Sequence, residues 1–208
     1  MLTQQDLNKM IQDHQLWITE SKSKGKQLHL EDATLKELNF VGWNLSDVVL
    51  AGSTLQKCVL TNTDFYYSNL ASVNFLEASM NGVILTKSNL DYSLFKKCDA
   101  SNSKVINATF YESVVEEVNF SDSSMMKVKF MYSTLTNIKF INCDLSRASF
   151  RNSNLQDVDF TSADLSEVDF SNVEINNVIF NGAFCNHKTI WPENINPEQM
   201  GVIFKKES

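Results

Sequence analysis

Three histidines, four cysteines and 25 acidic side chains are the groups in this 208-residue chain that could carry proton transfer, nucleophilic attack or metal binding. Their arrangement assembles none of these chemistries. A zinc site needs His, Cys or carboxylate ligands in convergent, closely spaced sets. His14, His29 and His187 have no such set around them. His14 can be read as a catalytic base, but its place beside Trp17 in an apolar stripe favours packing. No glycine-rich phosphate loop occurs. Acid–base work by paired carboxylates needs a pocket that drives their pKa values apart, and nothing in the pattern implies one. The expectation is a non-enzyme with no cofactor and no metal.

The elements that would position any site follow a repeat of five. Every fifth residue from Leu30 to Phe180 is apolar, 31 positions without a polar one, and 12 of the 14 Phe fall there. Two residues before each lies a second series, 28 to 183, in which 28 of 32 residues are Val, Ala, Ser, Cys or Thr; Leu28, Leu38, Trp43 and Ile138 are the exceptions. Five residues advance an α-helix by about 500°, so a period of five would smear over all its faces. In an extended segment, residues two apart share a face. The small and the large residue therefore point inward, the one between points out, and the remaining two turn a corner. Repeated bends in one sense wind the chain into a coil whose turns pair at about 4.8 Å. A single turn buries no core, so stability requires stacking.

Ala163-Asp164-Leu165, with the close variants Ser68-Asn69-Leu70, Ser88-Asn89-Leu90, Val73-Asn74-Phe75, Val158-Asp159-Phe160 and Val168-Asp169-Phe170, resembles the A-(D/N)-L-x-x unit of the pentapeptide-repeat family. The resemblance covers about three-quarters of the chain. It implies an all-β solenoid, a right-handed quadrilateral β-helix with four repeats per coil. Nearly eight coils result, a rod roughly 37 Å long. The organisation expected is residues 1–27 as a capping helix and linker, 28–183 as the β-helix without inserted loops, and 184–208 as an irregular C-terminal cap and tail.

At 20 residues per coil, Cys58 and Cys98 share a column two coils apart, about 9.6 Å, too far for a disulfide. Cys143 lies on another side and Cys185 beyond the repeats, so all four read as reduced thiols, three of them filling the core. Thr3 and Asp6 form a capping-box pattern that opens a helix reaching about residue 22. Its stripe of Leu7, Met10, Ile11, His14, Trp17 and Ile18 should cover the open first coil near Trp43, and Gly25 should break it. His14, Trp17, Ser21, Gly25 and Leu28 resemble a leader found before such repeats in bacterial proteins. Thr189-Ile190-Trp191-Pro192, Pro197 and Gly201 resemble an ending found after them. Trp191, Ile195, Met200, Val202 and Ile203 should cover Phe180 and Phe184, with Lys205-Lys206-Glu207 loose.

Inside the rod, Phe110, Phe130, Phe150 and Phe170 should stack in one column and Phe120, Phe140, Phe160 and Phe180 in the column opposite. Ala100, Val105 and Val115 mark a narrowing or a void. Outside, Glu37, Lys57, Glu77, Lys97 and Glu117 alternate in sign along one column, which supports register. A second outward set is rich in the residue types of binding surfaces. Tyr92, Tyr111, Met131 and Tyr132 occupy neighbouring columns, Ile106 and Met126 lie round the corner, and Lys127, Lys129, Arg147 and Arg151 flank them. They are the candidate contact site for an unidentified protein partner. The family also implies an alternative, since some members mimic a DNA duplex and bind DNA gyrase. Asp144, Asp157, Asp159, Asp164, Glu167 and Asp169 make one end acidic, while basic residues interrupt the middle. Net charge −7 argues against direct nucleic-acid binding. The apolar runs are too short for a membrane helix. No secretory signal is expected, which points to a cytoplasmic protein, although a specialised secretion system would leave no readable mark.

Overall fold

The structure, a computed structural model, describes residues 2–193 and 195–205. Of the expected loose tail, Lys206 and Glu207 lie outside these residues. The chain forms a coil of parallel strands with a 20-residue period: Thr34 pairs with Thr54, Thr54 with Asn74, and so on to Glu174. Eight strands stack in chain order on one side: β1 (Thr34–Lys36), β2 (Thr54–Gln56), β3 (Asn74–Leu76), β4 (Leu94–Lys96), β5 (Val114–Asn119), β6 (Thr134–Lys139), β7 (Asn154–Asp159) and β8 (Glu174–Asn176). Four five-residue units therefore close each coil. The first side carries Leu30 to Phe170 at intervals of 20, the second Leu35 to Ile175, the third Phe40 to Phe180 and the fourth Leu45 to Leu165.

Each corner has one physical solution. The third residue of each unit's turn sits in the left-handed region without a break from Asp32 (φ 52°) to Gly182 (φ 66°). At most corners the turn is closed as in Val48 N–H to Leu45 C=O, 3.1 Å, the geometry of a type II turn. The Asp or Asn of the unit explains itself here: Asp64 Oδ1 accepts the Tyr66 N–H at 2.8 Å, and Asp144, Asp159 and Asp164 do the same two residues on. The small inward polar residue is equally accounted for. Thr63 Oγ1 donates to Phe40 C=O at 2.7 Å and Ser88 Oγ to Phe65 C=O at 2.7 Å, each reaching one coil back. Most buried hydroxyls are thus satisfied within the interior, with Ser93 Oγ and Ser149 Oγ the exceptions.

The interior is filled by rings. Phe110, Phe130, Phe150 and Phe170 stack at 4.5, 5.4 and 5.3 Å, and Phe120, Phe140, Phe160 and Phe180 at 5.6, 5.2 and 5.2 Å. Edge-on contacts tie the two ladders together, as between Phe150 and Phe160 at 5.7 Å. The level of Ala100, Val105 and Val115 is a crossing point. There Phe95 of the second side touches both Phe75 (4.7 Å) and Phe110 (5.5 Å), so the ring series passes from the second side to the first.

Both ends are covered. Helix α1 (Gln4–Thr19) opens with Thr3, whose Oγ1 accepts the Asp6 N–H at 3.2 Å, and buries Leu7, Ile11 and His14. Its polar side chains satisfy the edge of the first coil: Gln4 exchanges two hydrogen bonds with the Asn39 main chain, at 2.8 and 2.9 Å. Trp43 lines a shallow recess with Gln4 and Asn8 of the helix. The helix stops before residue 22 because Ser21 and Lys22 are left-handed. Gly25 does not end it. Its φ is +70°, and a Cβ there would lie 2.2 Å from Asp13 O, so glycine lets the chain cross back over the helix. At the far end Trp191 closes both ladders, stacked on Phe170 at 5.1 Å and edge-on to Phe180 at 5.2 Å. Phe184 and Ile203 do not point inward as expected; both are exposed. They belong to a short parallel pair, β9 (Phe184–Cys185) and β10 (Ile203–Phe204), that adds a partial coil.

Candidate functional site

All four cysteines are free and buried, with Ala78 occupying the column between Cys58 and Cys98. Burial pushes the Cys98 thiol up to about 11 and the Cys143 thiol up to about 12, the opposite of what a nucleophile requires. His14 is buried, accepts the Leu28 N–H on Nδ1 at 3.1 Å and lies over Trp17 at 5.6 Å. Burial holds its pKa below the ordinary value. It is a neutral packing residue of the cap. Among the described residues no group of His, Cys, Asp and Glu is placed to hold a metal ion, and no helix is long and apolar enough to cross a membrane.

The features left over gather on the first side of the rod. The tyrosines number five, and all border it. Tyr92, Tyr111 and Tyr132 line one corner, with Tyr111 edge-on to Tyr92 at 5.9 Å and to Tyr132 at 5.3 Å. Met131 sits in the Tyr111 column, one coil on. Tyr66 and Tyr67 stand at the opposite corner, 6.3 Å apart, in the columns that continue to Ile106, Met126 and Lys127. Lys87 Nζ contacts the Tyr66 hydroxyl at 3.0 Å. Tyr67, Tyr92 and Tyr132 are 64%, 57% and 53% exposed, too open for core roles. Beyond the first corner, outward Leu94 and Val114 of β4 and β5 extend the apolar surface.

The sequence-derived site residues are therefore placed on two corners and the strip between them. Tyr92, Tyr111, Met131, Tyr132 and Arg151 share one corner; Ile106, Met126, Lys127 and Arg147 share the other; Lys129 projects from the middle, between Thr109 and Ser149. The arginines differ from the lysines. Arg147 pairs with Glu167 at 3.2 Å and Arg151 with Asp169 at 3.6 Å, while among the described residues no ion pair engages Lys127 or Lys129. The Glu112 carboxylate raises the Tyr111 phenol above its usual pKa. Sequence reasoning passed over Tyr66, Tyr67, Leu94 and Val114. The tyrosine pair was legible as outward residues in the same columns as Ile106 and Met126, two coils earlier.

Charge sorts by side. From Lys87 to Arg151 the first side and its corners hold five bases, Lys87, Lys127, Lys129, Arg147 and Arg151, against the acids Asp91 and Glu112. Over the same span the third and fourth sides with their shared corner hold the acids Asp99, Asp122 and Asp144 against Lys104 and Lys139, and Asp64, Asp159 and Asp164 extend the acidic stripe beyond it. In the alternating column, Lys57 meets Glu77 at 3.7 Å and Lys97 meets Glu117 at 4.0 Å, whereas Glu37 turns to Lys36 within its own coil. These pairs are about half exposed and support register weakly.

A model of the pentapeptide repeat region matches residues 28–105 and 114–190. The chain belongs to the pentapeptide-repeat family. Solved structures of one other repeat protein share its fold. A trypsin-treated form of QnrB1, a plasmid-mediated fluoroquinolone resistance protein, superposes with a TM-score of 0.61 at 16% identity, covering 86% of this chain and 90% of that one. Full-length QnrB1 gives 0.55 at 14% identity, over 86% and 92%. HetL, a pentapeptide repeat protein involved in heterocyst differentiation regulation from the cyanobacterium Nostoc, gives 0.45 at 15% identity, over 85% and 87%. No curated protein sequence matches. At these identities the likeness concerns the fold, and the side chains of this pentapeptide-repeat rod must speak for its function.

Proposed function

We propose that the protein is a non-catalytic binding rod that engages a protein partner through its first side. The observation that carries this is the collection of every tyrosine on the two edges of one side, with Tyr111 in contact with both Tyr92 and Tyr132. Aromatic residues, Met and Arg mark interfaces, and here they stand on a scaffold that the Phe ladders keep rigid. Four buried free thiols support a reducing compartment such as a bacterial cytoplasm. The test is Tyr111→Ser with Met131→Ser. Partner capture from the native host should be lost while the circular-dichroism melt is unchanged. Undiminished capture by the folded variant refutes the surface; simultaneous loss of fold refutes the outward assignment.

A second reading, gyrase binding by duplex mimicry, has its own support in the acidic third and fourth sides and in the fold shared with QnrB1. Two observations weaken it. Lys104 and Lys139 interrupt the stripe, and Asp64, Asp144, Asp159 and Asp164 already serve the corners as turn formers. Titration into a gyrase supercoiling assay decides the matter, with no inhibition at micromolar protein ruling the reading out.

A further inference from the structure

Resting on the reading of the first side as a binding surface, we infer that its occupant is an acidic segment of a protein partner that also carries apolar or aromatic side chains. Charge is the first argument. The chain as a whole carries −7, yet between Lys87 and Arg151 this side holds five bases to two acids, with Glu31, Asp32, Asp47, Glu167 and Asp169 lying towards its ends. Lys127 and Lys129 are exposed, and among the described residues neither has an ion-pair partner. Of the acids, Asp91 is already engaged, accepting the Tyr111 N–H at 2.9 Å. An incoming carboxylate thus meets cations in need of a partner.

The second argument is backbone strain, and it is independent of charge. The left-handed corner position suits Gly and Asn, and a bulky L-residue there is strained. The corner between the third and fourth sides obeys this preference, with Gly42, Asn62, Gly82, Asn102, Asp122, Asn142, Ser162 and Gly182. The two corners of the first side set it aside for Tyr67, Lys87, Tyr92, Lys127, Tyr132 and Arg147, at φ of 57° to 62°; the corner between the second and third sides does so for Glu37, Lys57, Glu77, Lys97 and Glu117, but tyrosine takes the position only beside the first side. Tyrosine rings are held in this position where the fold would be served better by Asn. Retained strain of this kind points to use.

The third argument concerns how the occupant is read. Main-chain groups of this side are spent between coils, as in Lys129 N–H to Ala108 C=O (3.1 Å) and Phe130 N–H to Ser149 C=O (2.8 Å). A partner cannot dock by adding a strand here, so side chains do the reading: ammonium groups for carboxylates, tyrosine rings for apolar anchors. Nucleic acid fits less well. Asp91 and Glu112 stand among the tyrosines, the whole chain repels a polyanion, and the rings turn their edges to one another at 81° and 62° instead of offering open stacking faces.

Fluorescence anisotropy tests the inference. The probes are a labelled peptide alternating Glu and Leu, its Lys–Leu counterpart and an oligothymidylate, with sedimentation of the protein alone at low salt. The Glu–Leu peptide should bind and weaken about tenfold or more on raising salt to roughly 0.5 M. Lys127→Glu with Lys129→Glu should weaken it at least about tenfold without lowering the melting temperature. Tyr92→Asn with Tyr132→Asn, which keeps the left-handed corners, should weaken it by a similar factor. No Glu–Leu binding, equal binding of the Lys–Leu peptide, preference for the oligothymidylate, or indifference to the charge reversal each overturns the inference. So does salt-sensitive self-association abolished by the same reversal, which would make a second copy the occupant. Should the Glu–Leu peptide fail while Tyr111→Ser with Met131→Ser still loses partner capture, the surface stands and only the acidic class is wrong. If both fail, the first side is idle.

Discussion

Replacing Phe130 by alanine tests the core on which the surface depends. The ring is fully buried and touches Phe110 at 4.5 Å, Phe150 at 5.4 Å and Phe140 at 5.9 Å, so it joins the two ladders as well as extending one. Burial lost with a Phe→Ala change costs about 3–5 kcal/mol, more where the surroundings cannot collapse into the space. Collapse is blocked here. The coils on either side are held at hydrogen-bonding distance by their own ladders, such as Phe130 N–H to Ser149 C=O at 2.8 Å. We therefore expect the upper half of that range, about 4 kcal/mol. With a urea m-value of ~2.5 kcal/mol/M this moves the midpoint down by about 1.6 M. The assay is a urea titration followed by far-UV circular dichroism, beside Lys139→Ala, an exposed position, as a surface control. A Phe130→Ala midpoint equivalent to less than about 0.5 kcal/mol, the range of surface changes, would refute the inward register and the outward tyrosines with it.

Three further outcomes are expected. His14 must stay neutral to accept the Leu28 N–H, and its folded pKa lies below 6.5, so the unfolded chain takes up the proton first. Stability should fall as pH drops below about 6.5 and level off under the folded pKa, with a slope approaching ~1.4 kcal/mol per pH unit at most. Nearby Asp47 and His29 modulate that window in opposite directions, and the slope should be shallower in His14→Gln; an unchanged slope would remove His14 as its source. At pH 8 the native protein should resist a thiol reagent and, once denatured without reductant, should show all four cysteines; rapid native labelling of Cys143 would contradict its burial. Gly25→Ala should lower stability by about 2 kcal/mol or more, since the new Cβ meets Asp13 O at a φ that alanine disfavours. A melt equal to wild type would show that the crossing is not held as described.

Much of this architecture was legible because a period of five admits few solutions. Inward and outward follow from spacing alone, so Phe130 and Tyr132 could be assigned opposite directions without coordinates. The capping residue Thr3, the stripe of Leu7, Ile11 and His14, and the closing role of Trp191 were equally local in origin. The tertiary structure decided what depends on reach between coils. It paired Arg147 and Arg151 with acids one coil away and left Lys127 and Lys129 unpaired, because pairing turns on side-chain geometry across stacked columns and not on column membership. It carried the ring series across the rod through Phe95, a step invisible in a list of columns. It placed the third residue of every turn in the left-handed region, so that residues chosen against that conformation, Tyr67 and Tyr132 among them, became conspicuous. The repeat dictates a rod because each coil needs its neighbour to bury a core. Which side of that rod meets another molecule is settled by side chains that the repeat leaves free, and only their packing together in space brings them into one surface.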